Sequence, residues 1–298
     1  MARFVYDTLL LIFGTSLLTE VTDFMKEIMN ALNSIFENGV VNTAIYLFIV
    51  IAASILTVNV FMELLSRISQ EMLTFEHLML ILIKYFIGMI ILIYLPDIVQ
   101  KLFEFAYALY SYASNSFDVT STGVSISLFG KENWMDSYEV VKSDLEGTGL
   151  GKVKAVSDNI GLIFQLIIPF LVCKVSLFAT LFLAASNSVT LTARAIFSPI
   201  GIVQCFDELK RSEGVRYLKK FLADGLVFAV TLGVLYGASL IQAAMFSGLM
   251  EELGNIGSIE EINKALSAMT IVKITVIQLA AVGGILKANA IANDMVGA

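Results

Sequence analysis

Charge is scarce in this 298-residue chain. Asp, Glu, Lys and Arg together make up 15% of it, where a soluble domain carries about 25%. Proline occurs 3 times, cysteine 2 times, and histidine and tryptophan once each. Each shortage excludes something. So few prolines leave long helices uninterrupted. The single histidine, His77, sits beside Glu76 with no second histidine nearby, so no His pair is present to hold a metal. Cys173 and Cys205 stand apart without CxxC or metal-ligand spacing, which indicates neither a disulfide frame nor a zinc site. No nucleophile–base constellation is visible, so no enzyme, cofactor or metal is expected. Glu146-Gly-Thr-Gly-Leu-Gly-Lys152 looks like a phosphate loop, but Val153 stands where Ser or Thr is required and the glycine spacing is wrong. The net charge of −7 does not mark the whole chain as a nucleic-acid binder.

What is abundant is apolar. Hydrophobic residues make up 57% of the chain and the mean hydropathy is +0.83. That excess places the chain in a bilayer. No stretch alternates with period two over the roughly ten residues of a barrel strand, so helices must do the spanning. The expected fold is all-α: a polytopic transmembrane helical protein of about five spans. No removable signal peptide is expected, because no small-residue cleavage site follows the short apolar run after Arg3.

Residues 1–36 predict an amphipathic N-terminal helix. Leu17, Val21, Phe24, Ile28, Leu32 and Ile35 recur at helical spacing, with Glu20, Asp23, Lys26 and Glu27 between them. Residues 37–112 hold spans 1 and 2, at 41–62 and 78–95, and an aromatic-rich helix after Pro96. Residues 113–158 form a polar, acid-rich loop with the lone Trp134. Residues 159–298 hold spans 3 to 5, at 160–186, 222–246 and 266–286. Between spans 3 and 4 lies a basic elbow, 187–221, containing Arg194, Lys210, Arg211, Arg216, Lys219 and Lys220. Pro199 and Gly201 are expected to break the helix there, and Ser212-Glu213-Gly214 to turn it. A loop this basic is retained in the cytoplasm. The N-terminus and the 113–158 loop then face outward, and the C-terminus faces the cytoplasm.

Several residues are candidates for contact. Lys84, Lys174 and Lys273 lie within spans, at a cost of roughly 2.5–3.5 kcal/mol each at a helix centre. Lys84 and Lys273 are near span ends, where a lysine can snorkel. Lys174 is central. It either pairs with an acid such as Asp224 or faces a polar lumen or a partner subunit. Gly225, Ala229, Gly233 and Gly237 repeat along one face of span 4 and suit close helix packing, within one subunit or between subunits. Lys219 and Lys220 are placed as lipid anchors. Lys210, Arg211 and Arg216 are better placed to meet a cytoplasmic partner.

Residues 187–221 resemble the corresponding region of the TrbL-type polytopic subunits of type IV secretion and conjugation systems. The likeness rests on Arg194-Ala-Ile-Phe-Ser-Pro-Ile-Gly201, an amphipathic helix after it, and Ser212-Glu-Gly-Val-Arg-Tyr-Leu-Lys-Lys-Phe221 leading into a span. The resemblance implies a structural channel or scaffold subunit in the cell (cytoplasmic) membrane. Such a subunit contacts the lipid bilayer and other secretion-system subunits, including cytoplasmic ATPases, forms a homo-oligomer, and helps pass DNA or protein outward. Two other classes remain open: a secondary membrane transporter, which needs a midplane binding site, and an accessory anchor that recruits a cytoplasmic partner through the basic loop alone.

Overall fold

The computed structural model describes residues 8, 16–69, 74–116, 150–207, 211–254, 264 and 266–298. Among them the secondary structure is helical: α1 (Ser16–Glu37), α2 (Val40–Ser69), α3 (Phe75–Ile93), α4 (Leu95–Ser116), α5 (Leu150–Val203), α6 (Arg211–Gly254), α7 (Ala268–Leu286) and α8 (Ala288–Val296). Five of these, α2, α3, α5, α6 and α7, contain stretches long and apolar enough to cross a membrane. The chain is thus an all-α, multi-pass membrane protein by length and composition of its helices. The expected spans 1, 3 and 4 fall inside α2, α5 and α6; span 2, expected to reach residue 95, ends at Ile93, and span 5, expected from residue 266, starts at Ala268. Thr74 caps α3 by accepting from the His77 amide, and Ser267 caps α7 by accepting from the Thr270 amide.

α1 is the amphipathic helix that the sequence predicts, with its buried line slightly rotated. Val21, Met25, Met29, Leu32 and Phe36 are buried, while Ile35 faces out. The i, i+4, i+7 spacing is satisfied by either register, and the two methionines decide it by filling the interior. α4 is a separate helix after a one-residue interruption at Tyr94. It extends to Ser116, and α5 starts at Leu150, so both edges of the expected 113–158 loop are helical. Trp134 and the rest of that loop lie outside the described residues.

The residues group into two compact units. The first comprises Met1–Met25, Ala113–Leu183 and Thr231–Lys287, the second Lys26–Tyr112, Ala184–Val230 and Ala288–Ala298. In the first unit, α6 and α7 approach closely where Gly284 lies against Val234; a Cβ at Gly284 would come 2.7 Å from Val234 Cγ1. Buried side chains here include Leu162, Leu166, Leu232 and Ile274, and also the polar Ser176, Thr180 and Gln278. Thr180 returns its hydroxyl to the Ser176 carbonyl, which lets it sit in an apolar interior.

In the second unit, Phe36 of α1 stacks on Phe103 of α4 with ring centroids 4.2 Å apart, and Tyr107 donates to Asn30. α2 and α3 form a helical hairpin. Phe48 of α2 packs on Phe197 of α5, centroids 4.6 Å apart. The neighbouring ends of α2 and α3, the start of α6 and α8 share one end of this unit, since Arg211 lines one recess with Arg67 and His77 and another with Gly297. A five-span path requires this, because those three segments then fall on one side of the bilayer.

The elbow itself differs from expectation. Pro199 and Gly201 do not break the helix: α5 runs through both to Val203. Pro199 removes only one donor, that for the Ala195 carbonyl, which loosens the turn without ending it. The reversal comes later, at a 3-10 turn, Gln204–Phe206, and an extended Asp207. Ser212-Glu213-Gly214 is likewise no turn but the first turn of α6.

Candidate functional site

The elbow's two arms, the end of α5 and the start of α6, are tied by buried polar groups in the second unit. Arg194 of α5 meets Asp224 of α6, with Nη1 and Oδ2 2.9 Å apart. Asp224 is 8% exposed and Arg194 29%. The two atoms make an ion contact without the alignment of a linear hydrogen bond. Asn187, two turns earlier on the same face of α5, donates its amide to the Asp224 backbone carbonyl. Tyr217 donates its hydroxyl to the Arg194 backbone carbonyl. That carbonyl lies one residue before the one left without a donor by Pro199, so the tyrosine enters the turn that proline has loosened.

Three glycines permit these contacts. A Cβ at Gly201 would lie 2.6 Å from the Tyr217 ring. At Gly214 it would lie 2.5 Å from the Cys205 amide nitrogen, a backbone atom that cannot swing aside. At Gly225 it would lie 2.6 Å from Ala106 Cβ on α4. Gly201 therefore serves close approach rather than a helix break. Gly225 packs inside the chain, whereas among the described residues nothing lies within 4 Å of a Cβ at Gly233 or Gly237. The small-residue ridge of α6 is thus filled at one end and open at the other.

The brace fixes where the basic side chains emerge. Arg211 and Arg216 are exposed on the first turns of α6. They share a shallow recess with Lys219 and Gly297. Lys219, placed by sequence as a lipid anchor, instead donates to the Gly297 carbonyl at 2.9 Å and holds α8 against α6. Lys210 lies outside the described residues.

The intramembrane lysines resolve into three cases. Lys84 is paired with Glu63 at 2.8 Å, both partly buried, so it is neutralised in place rather than snorkelling. Lys273 is exposed near the start of α7. Lys174 is exposed on α5, 5.9 Å from the Phe170 ring centroid. Asp224, one of the acids it was expected to meet, is taken by Arg194. Sequence reasoning missed Arg194–Asp224 as a pair, and missed Asn187 and Tyr217 altogether. The available signal was an acid inside an apolar span, which demands a cation at contact distance.

No protein-family model, no curated protein and no solved structure matches the chain.

Proposed function

We propose that this chain is a structural channel or scaffold subunit of a larger assembly in the cytoplasmic membrane, of the type IV secretion and conjugative DNA-transfer kind that its elbow resembles. The observation that carries the scaffold reading is the length of apolar surface on α5. The helix has 54 residues, and its candidate span, Ile160–Phe206, has 47. At 1.5 Å per residue that span has a contour of about 70 Å, against a hydrocarbon core of about 30 Å. Even at a tilt of about 40°, roughly 26 residues cross the core. Exposed apolar side chains run on for longer than that, from Ile160 (40%) through Phe164, Phe178, Phe182 and Val189 (all 65–71%) to Phe197 (48%). Apolar surface beyond lipid needs protein cover, which other subunits supply.

Three further features fit. Lys174 projects from that same face of α5 and favours a polar neighbour, in a second copy or in a lumen. The open ridge at Gly233 and Gly237 suits helix packing between copies. The braced elbow presents Arg211 and Arg216 as a fixed cationic edge for a cytoplasmic ATPase or another secretion subunit. In this reading the N-terminus is outside, the C-terminus is cytoplasmic, and the subunit forms a homo-oligomer through which DNA or protein is passed. A secondary transporter is less favoured, because α5 runs unbroken through Pro169 and forms no discontinuous helix there.

The test is a strain deleted for the gene. DNA transfer should be lost, restored by the wild-type chain, and not restored by the double variant Arg211→Gln/Arg216→Gln at equal membrane abundance. Normal transfer in the deletion strain, with solute uptake by the purified protein in vesicles, would overturn the proposal in favour of a transporter.

A further inference from the structure

The end of α2, α3, the turn after α5 and Arg211 line an open cavity of about 460 Å³ in the second unit. Its lining near the start of α3 is charged, with Arg67, His77, Asp207 and Arg211, and the Lys84–Glu63 pair sits farther along α3, level with Ile83. Glu63 is taken up by Lys84 at 2.8 Å, and His77 holds Thr74 through Nδ1 at 2.7 Å. Of the rest, the two cations Arg67 and Arg211 outnumber the one carboxylate, Asp207, and Arg211 is exposed. The charged end therefore carries net positive charge at neutral pH.

The other wall is aliphatic. Leu80, Ile83 and Ile87 of α3 line it, and they are 63%, 48% and 47% exposed. These residues lie on a helix that is apolar enough to span, so the cavity opens sideways onto the surface that acyl chains wet. From His77 to Ile87 the wall extends about 15 Å along the helix. That is about half the thickness of a hydrocarbon core. A soluble anion would occupy the charged end alone and leave this wall unused. A molecule with an anionic head and two chains uses both.

We propose that this cavity binds an anionic phospholipid. Its phosphate meets Arg211, and its chains lie along Leu80, Ile83 and Ile87. Basic recesses between spanning helices at the membrane surface are suited to such headgroups. The site rests on the membrane location of the chain and not on a role in secretion, so it stands or falls separately from that role.

The experiment uses the full-length protein purified in a neutral detergent. Thermal unfolding and native mass spectrometry are recorded with dioleoyl phosphatidylglycerol, with dioleoyl phosphatidylcholine and with glycerol 1-phosphate. Phosphatidylglycerol should raise the unfolding temperature and remain bound, whereas the other two should do neither. Arg211→Gln should weaken that binding about fivefold, the loss of about 1 kcal/mol for one basic contact. Arg211→Lys should retain it, as should Arg216→Gln, which lies outside the cavity. Ile83→Ser/Ile87→Ser should weaken it as well. If the cavity variants fail to fold, the wild-type comparison between the three ligands still decides. Equal stabilisation by glycerol 1-phosphate would show a soluble-anion site and overturn the lipid proposal. Equal binding of the two lipids, or retention of phosphatidylglycerol by Arg211→Gln at wild-type strength, would overturn the role of the charged end.

Discussion

Asp224→Asn is the sharpest perturbation of the elbow. The substitution keeps the side-chain shape and removes the charge that faces Arg194 at 2.9 Å. It leaves the bond from Asn187 to the residue-224 carbonyl in place, because that bond involves only the backbone. The physical effect is an arginine stranded inside the protein. Breaking a buried pair from one side costs about 3–5 kcal/mol. Arg194 retains 29% exposure, so some water still reaches it, and the expected loss falls to about 2–3 kcal/mol. Arg194→Met strands the other partner. Asp224 is only 8% exposed, so that loss should be at least as large. The double variant Arg194→Met/Asp224→Leu removes both charges and should fall within about 1 kcal/mol of wild type, since apolar replacement of a whole buried pair is often neutral. The assay is reversible denaturant unfolding in mixed micelles, run as a double-mutant cycle. With singles of about 2–3 kcal/mol each and a double within about 1 kcal/mol, the cycle should give a coupling of about 3–6 kcal/mol. If the double variant loses the sum of the two single losses, the side chains do not act as a pair and the brace is not what holds the elbow.

Gly214→Ala should destabilise the chain by about 1–3 kcal/mol, as overpacking against a backbone atom does; unfolding measurements with no change would contradict the close approach to Cys205. Gly233→Leu should leave the unfolding transition intact and lower the oligomer mass in size-exclusion light scattering, because no described atom of the chain lies within 4 Å of a Cβ there. Lys174→Leu should likewise alter assembly or transfer without loss of folding, and wild-type behaviour in both would remove Lys174 from the mechanism. A cysteine at Ser212, which is exposed, should resist an impermeant thiol reagent in intact cells and react after permeabilisation; the reverse result would invert the topology.

Much of the architecture was written in composition and period. A chain with 57% hydrophobic residues and 15% charge has to be membrane-spanning, and the apolar runs locate the helices that can cross. The amphipathic period of α1 was equally plain, although its register was not, because Met25 and Met29 are permissive enough to join either face. The elbow was legible as a basic segment between spans, which is a matter of local sequence alone.

What the elbow is made of was decided by the tertiary fold. Proline and glycine carry a strong local meaning, and at Pro199 and Gly201 that meaning misleads. A helix already held by neighbours tolerates one missing donor, and Tyr217 needs the space that Gly201 leaves. Gly225, Gly233 and Gly237 are identical in sequence terms, yet among the described residues only the first would bring a Cβ within 4 Å of another helix. The partners of Asp224 and Lys84 could not be read from spacing, because Arg194 and Glu63 come to them across the fold rather than along one helix. Helix formation and membrane insertion depend on neighbours a few residues away and are therefore recorded in the sequence. The choice of which cation meets which acid depends on how distant helices are packed, and only the folded chain sets that.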